Sequence, residues 1–358
     1  MKELRTGVTT GLCAAAAAKA ATVMLLSAGS VGQVEVTAKN GEKKTFEVSD
    51  TTFENDNVRC AVQKDAGDDP DITHSIKIFA TVSKTEQAGI EADGGEGVGR
   101  VTKPGLKVPV GRAAINPVPM EMIKSAIEDV CNTLTYSGGI KAIISIPGGA
   151  EIAKKTMNER LGVVGGLSVL GTTGIVEPMS NKAVVETIKT VIDVQIASGK
   201  NSLIITPGNY GRDFAEKELG LSIDEAVKCS NFIGETLDYA CLKGIKQIVL
   251  IGHAGKLVKL AGGIMNTHSR IADCRMEIIA AHCALMGVEA EMIRQIMACV
   301  TTEAAVEVMK QIGANDSVWE SIGQKIGFHL RERTGGMVQV EYIVFTQEQG
   351  VLCRGAAI

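Results

Sequence analysis

Three kinds of residue in this chain are placed to do chemistry: a histidine among lysines, a cluster of aspartates, and glycine-rich loops. His253 stands in GHAGKLVK (252–259), directly after an apolar run, with Lys256 and Lys259 beside it. An imidazole there suits proton transfer or hydrogen bonding to a ligand. Asp65, Asp68, Asp69 and Asp71 crowd into KDAGDDPD. Carboxylates so close can hold a hard cation, share a proton as an acid–base pair, or line a solvated turn around Pro70. Their spacing does not match an EF-hand loop, so the functional reading is a base, with Asp69 the candidate. GTTGIVEP (171–178), TPGNYGRD (206–213) and GHAGKLVK each follow a strand-like run. Glycine alone explains a tight strand-to-helix turn. Three such loops on one edge of a parallel sheet point instead to a small-molecule site with backbone amides for carboxylates or phosphates.

A fourth segment has little helix or strand pattern. DGGEGVGRVTKPGLKVPVGRAAINPVP (93–119) holds four of the eight prolines and six glycines. Long loops inside a globular chain are functional or disordered; the Val and Ile threaded through this one argue for an ordered binding loop. Lys103, Lys107 and Arg112 punctuate it, either as plain surface charge or as a basic set for a ligand with several carboxylates. Its start fits an acid-x-G-x-G-x-G pattern that resembles the first loop of many methyltransferases. Such a loop must open directly into a helix, and Pro104-Gly105 breaks one here. G-x-G-x-x-G and G-x-x-x-x-G-K-[ST] are both absent, which removes the dinucleotide-fingerprint and P-loop readings.

The elements that must hold these residues divide into two kinds. Thr9 or Thr10 caps a helix over 12–26 with Gly29 as its stop, and Asn40-Gly41 joins two alternating runs as a hairpin. Strands at 59–63 and 75–82, a helix from Pro119 to 134 and a strand at 142–146 complete an α+β domain over residues 1–165. Beyond it strands and helices alternate: strands 167–170, 202–205 and 247–251, helices 182–197, 223–242 and 269–286. That pattern implies an α/β domain over 166–358 with a small parallel sheet, Rossmann-like in topology but lacking the G-x-G-x-x-G fingerprint. Helices at 289–312 and 318–332 and a last strand at 338–345 follow, the strand's partner being open.

Composition sets the bounds. A net charge of −4 argues against a nucleic-acid surface. Apolar residues make up 45% and aromatics 3%, so aliphatic and Met side chains must fill the core. Nine cysteines without a C-x-x-C pair read as reduced thiols, which points to the cytoplasm. The first 30 residues mimic a signal peptide, but Lys19 and the alanine run favour a helix of the folded protein, and no other stretch is apolar enough to span a membrane. His74 can begin a strand, while His268, His282 and His329 read as packing or surface residues. With no metal-like spacing and no G-x-S-x-G, neither a protein-bound metal nor a serine triad is expected.

Several segments together resemble the CbiD family, the cobalt-precorrin-5B C(1)-methyltransferases of anaerobic cobalamin biosynthesis. They are RTGVTTGLCAAAAAKAA (5–21), KDAGDDPDITH (64–74), GVGRVTKPGLKVPVG (97–111), AINPVP (114–119), GTTGIVEPMS (171–180), TPGNYG (206–211) and GHAGKLVKLAGGIMNTHSRIAD (252–273). Where the family loop commonly reads PVGEPAINPVPR, this chain has Arg112-Ala113 and ends on Met120, so Arg112 reverses the charge. The resemblance implies methyl transfer from S-adenosylmethionine to ring carbon C(1) of cobalt-precorrin-5B, giving cobalt-precorrin-6A. Cobalt then belongs to the substrate. On that footing the donor is expected at Gly171, Thr172, Thr173 and Gly174, with Thr206, Gly208, Asn209 and Gly211. The anionic macrocycle is expected at Thr9, Thr10, Gly11, Lys103, Lys107, Arg112, Asn116 and Lys256, with His253 or Asp69 as base. The alternative is a non-catalytic carrier of corrinoid precursors. Homo-oligomers and transient contacts with neighbouring pathway enzymes stay open as partners.

Overall fold

The computed structural model describes residues 4–54, 56–209, 214, 216–217, 220 and 226–357. The chain forms two compact units, Met1–Asn181 and Lys182–Ile358. The division lies beyond residue 165 because the segment after it stays with the first unit. Val163–Val164 pairs with Arg100–Val101, Ile175–Val176 pairs with Gly7–Val8, and Leu167 and Val169 bridge to Val98 and Ile115. The run 167–170 is therefore a set of bridges within the first unit, not a strand of the parallel sheet.

In unit 1 the elements are β1 (Gly7–Val8), α1 (Thr10–Ser27), β2 (Gln33–Thr37), β3 (Lys43–Glu54), β4 (Asn57–Gln63), β5 (Lys77–Thr85), β6 (Gly89–Gly94), β7 (Arg100–Val101), α2 (Pro117–Thr133), β8 (Gly139–Ser145), α3 (Gly149–Ala153), β9 (Val163–Val164) and β10 (Ile175–Val176). Six of the strands form one sheet in the order β2-β3-β4-β5-β8-β6, antiparallel except for β6 alongside β8. Thr9 caps α1 by accepting from the Leu12 N–H, and Ala28, not Gly29, takes the left-handed position that ends it. The alanines of α1 are fully buried, and their small side chains let the sheet and α2 approach from different sides. By length and composition α1 could cross a membrane; here it is the buried centre of its unit.

Unit 2 contains α4 (Asn181–Ala197), β11 (Ser202–Thr206), β12 (Ala226–Lys228), α5 (Ile233–Leu242), β13 (Gln247–His253), and α6 (Ala254–Leu257) running into a 3-10 turn (Val258–Gly262). After these come α7 (Arg275–Leu285), α8 (Ala290–Met297), α9 (Thr302–Gln311), α10 (Asn315–Thr334), β14 (Gln339–Thr346) and β15 (Gly350–Ala357). The sheet order is β12-β11-β13-β14-β15, with only β15 antiparallel. The expected helix over 223–242 begins at Ile233, after the short β12; its first residues lie outside those described. The run 289–312 is two helices, because the Thr301 hydroxyl caps a new start by accepting from Ala304 N–H. One sheet face carries Leu203, Ile205, Ile248, Leu250, Val340 and Val344 into a core closed by Trp319 and Ile326 of α10. On the other face Ile251 and Phe345 are buried, with Phe214 stacked on Phe345 at 4.0 Å.

Candidate functional site

Each unit gathers part of the expected site. In unit 1, Thr9, Thr10 and Gly11 meet the 170–174 loop. The Thr10 hydroxyl accepts from Leu170 N–H at 2.9 Å, and Gly11 N–H donates to Leu170 O at 3.1 Å. Thr9 N–H donates to Gly174 O, and Lys39 N–H to Thr173 O, both at 2.9 Å. A Cβ on Gly171, where φ is +132°, would fall 2.4 Å from Thr9 Oγ1. Asn116 N–H donates to Val169 O at 3.0 Å, which brings the start of α2 to the same place. Gly171, Thr172, Thr173 and Gly174 thus follow no strand of the parallel sheet; they pack on Thr9, and the side chains of Thr172 and Thr173 are exposed.

The four aspartates are committed to four different tasks. Asp65 holds Arg5 in a bidentate pair, and that guanidinium keeps its carboxyl down at about 2. Asp68 accepts from Arg5 N–H at 2.8 Å. Asp69 Oδ1 accepts from Met179 N–H at 2.8 Å, fixing a non-glycine residue at φ 55°. Asp71 pairs with Lys64, 2.6 Å away and only 2% exposed. Burial alone would raise the Asp71 pKa, but Lys64 and Thr73 outweigh it and leave the carboxyl below its ordinary value. Its contribution to stability is therefore complete above the unfolded pKa and lost as pH falls through the depressed folded one. Lys64→Met should lower stability at neutral pH and flatten the acid limb between about pH 5 and 2. Denaturant unfolding at each pH reads this directly, and an acid limb identical to wild type would refute it.

The 93–119 loop is ordered around a small core of its own, Val101, Val108, Ala114 and Val163 with Leu106. Lys103 lays its stem on Gly162 and donates to Arg160 O at 3.4 Å. Lys107 and Arg112 are exposed and in no salt bridge among the described residues, although the charge of Arg112 helps to lower the Asp93 pKa. The glycines of the acid-x-G-x-G-x-G stretch face their own protein: a Cβ on Gly97 would lie 1.8 Å from Ile146 O.

In unit 2 the ends of β11, β12 and β13 converge. Lys256 Nζ, after β13, donates to Pro207 O at 2.6 Å and to Asn231 Oδ1 at 3.0 Å. Lys228 Nζ, at the end of β12, donates to Asn209 Oδ1 at 2.6 Å. Thr206 is fully buried at the end of β11, and its hydroxyl has no hydrogen-bond partner among the described residues. His253 uses both ring nitrogens. Nδ1 accepts from Gly255 N–H at 3.1 Å, which puts the proton on Nε2, 2.9 Å from Glu303 Oε1. Burial lowers the His253 pKa against the pull of Glu303, so the ring is neutral with its lone pair already engaged. Gly211 lies outside the described residues. Among those described, no three His, Cys, Asp or Glu side chains gather as metal ligands would.

Sequence reading missed Lys228, Asn231 and Glu303. The first two sit in KCSN, which a helix over 223–242 conceals; a Ser-Asn turn after an apolar dipeptide was the available sign. Glu303 carries no local signal, since its partner lies on a distant strand.

A sequence profile of the CbiD family matches residues 1–178, and one of the CbiD C-terminal domain matches 266–356. The cobalt-precorrin-5B C(1)-methyltransferase of Ruminiclostridium cellulolyticum is 52% identical over 345 residues, covering 96% of this chain and 90% of the relative. Its counterpart from Alkaliphilus metalliredigens is 42% identical over 353 residues, covering 99% and 93%. A crystal structure of a cobalamin biosynthesis protein (CbiD) from Archaeoglobus fulgidus shares 29% identity over 76% of this chain and 84% of that one, with a TM-score of 0.40.

Proposed function

The chain belongs to the CbiD family, and we propose that it methylates C(1) of cobalt-precorrin-5B to give cobalt-precorrin-6A, with S-adenosylmethionine as donor, in cobalamin biosynthesis. The observation that carries this reading is identity of 40% and above with methyltransferases of that name over nearly the whole chain. The proposed compartment is the cytoplasm, which suits nine unpaired thiols.

For the donor, the reading favours the carboxyl ends of β11 and β13. The order β12-β11-β13-β14 reverses there, and ligands of open α/β sheets bind outside the strand ends at such a reversal. The residues fit a polar ligand: Thr206 has a buried hydroxyl to satisfy, and Gly208 leaves open space up to Lys256 Nζ, 4.0 Å from a Cβ built there. When bound, the donor supplies an activated methyl on a sulfonium. The protein's task is then alignment, which can supply up to about 10 kcal/mol.

For the macrocycle, the reading favours Thr9, Thr10, Gly11, Asn116 and Gly171–Gly174 in unit 1, with Lys107 and Arg112 toward its carboxylates. Both cations are exposed, and among the described residues neither is held in a salt bridge, which suits a polycarboxylate. His253 acts as a positioning residue, because its lone pair holds Gly255. Among the described residues Asp69 Oδ2 has no partner, and it is the proposed acceptor of the proton released when the enamine-like carbon is methylated.

The test is anaerobic incubation with S-adenosylmethionine and enzymatically made cobalt-precorrin-5B, followed by mass spectrometry. A product heavier by one methyl, with equal S-adenosylhomocysteine, is expected. Substrate that binds but stays unchanged would replace the enzyme by a precursor carrier.

A further inference from the structure

Two lysines at the strand ends of unit 2 lack what a lysine of an acidic protein normally has. Lys259, their neighbour, shows the ordinary case: it is buried, donates to Thr267 O and Ala272 O at 3.2 and 2.8 Å, and has Asp273 at 3.7 Å. Lys256 is half-buried and reaches only neutral acceptors, Pro207 O and Asn231 Oδ1. Lys228 reaches only the Asn209 amide oxygen. Among the described residues no carboxylate is paired with either. Burial lowers the Lys256 pKa, Cys229 opposes that, and Lys228 and Lys259 reinforce it, so an ammonium is being held where charge is disfavoured. An arriving anion would relieve all of this at once.

The surroundings are arranged for such an anion. Asn231 Oδ1 accepts from Lys256 and, at 3.2 Å, from the Thr267 hydroxyl, which fixes the amide; among the described residues its Nδ2 group has no acceptor. Ser230, immediately before it, is held at φ 54°, a conformation non-glycine residues avoid and one that recurs at ligand sites. Thr206 and Lys228 are register partners on adjacent parallel strands, so their side chains leave the same face of the sheet. The Thr206 hydroxyl is fully buried and has no hydrogen-bond partner among the described residues. Gly208 presents a bare backbone to Lys256 Nζ across an open gap.

We infer that Lys228 and Lys256, with Asn231 and Thr206, form a carboxylate-binding site at the reversal point of the sheet, and that the carboxylate it holds is that of the methionine end of the methyl donor. This rests on the donor reading given above and adds to it the group recognised and the residues that recognise it. A second source of the same chemistry is a carboxylate arm of the macrocycle.

Two ligands that differ in that end separate these cases. S-adenosylhomocysteine carries the amino-acid carboxylate, whereas 5′-methylthioadenosine keeps the nucleoside and thioether without it. By calorimetry, Lys256→Gln should weaken S-adenosylhomocysteine about 10- to 100-fold, the range of a lost charge-assisted hydrogen bond, and leave 5′-methylthioadenosine unchanged. Lys228→Gln, on an exposed side chain, should give a smaller loss with the same selectivity, and guards against a Lys256 variant that folds poorly. Equal effects on both ligands, or none on either ligand or on the KM for the macrocycle, would overturn the site. Unchanged S-adenosylhomocysteine with a raised KM for the macrocycle would keep the site and assign it to the substrate's carboxylate. Wild-type protein that methylates yet binds neither nucleoside would overturn the donor assignment alone; no methylation and no binding would remove the functional reading beneath it.

Discussion

Gly97→Ala is expected to destabilise the protein by about 3 kcal/mol or more, on the order of a 10 °C fall in melting temperature. Two effects add. The residue sits at φ 72°, where a Cβ is strained, and that Cβ would lie 1.8 Å from Ile146 O and 2.7 Å from its carbonyl carbon. Neither neighbour is the flexible end of a side chain, so backbone must move. Two further glycines close on the same residue: a Cβ on Gly149 would lie 2.3 Å, and one on Gly166 2.2 Å, from Gly97 O. Gly111→Ala is the control, with φ 87° and nothing within 4 Å, so it isolates the conformational strain. If thermal melts put the two variants within about 1 kcal/mol of each other, the packing argument fails. The result also bears on function. A glycine pattern that resembles a cofactor loop is accounted for here by three backbones in contact, with no ligand required.

The same contrast explains which parts of the molecule were readable in the sequence. Local rules found α1 through the Thr9 cap, the β2–β3 hairpin through Asn40-Gly41, and β11 and β13 through short apolar runs before glycine. These signals are complete within a few residues. What failed depended on distant partners. The run 167–170 is apolar enough for a strand, yet bridges to Val98 and Ile115 assign it to unit 1 and carry the 170–174 loop onto Thr9. GIEADG forms β6 at a sheet edge with few strand-forming residues, because its main chain pairs in parallel with β8. The aspartate cluster reads as one chemical unit only until Asp65 and Asp68 are seen on Arg5, Asp69 on Met179 and Asp71 on Lys64. His253 was visible as a residue after a strand, but its role turns on Gly255 N–H and on Glu303, and only the fold supplies the second.

Gly208→Val should leave the melting temperature unchanged and lower both S-adenosylhomocysteine affinity and methyl transfer at least about tenfold, or 1.4 kcal/mol. Its logic is the reverse of that for Gly97. Gly208 does not have a left-handed φ, and among the described residues the nearest atom to a Cβ there is Lys256 Nζ at 4.0 Å, an ordinary contact, so the backbone tolerates a Cβ. The room is the point: Pro207 O already holds Lys256, and a valine would stand between the bare backbone and that ammonium. A glycine without steric need in the fold leaves its backbone open to close approach by another molecule. Were Gly208→Val to destabilise the protein as Gly97→Ala should, the glycine would be explained by folding, and the donor argument would lose it. Were it to leave stability and donor affinity both intact, the donor would have to bind elsewhere. Gly94–Gly99 would be a poor refuge, because the Cβ positions of Gly95, Gly97 and Gly99 are already occupied by Ser145, Ile146 and Val163. The exposed threonines at 172 and 173, on the loop that closes over Thr9, would then be the next place to substitute.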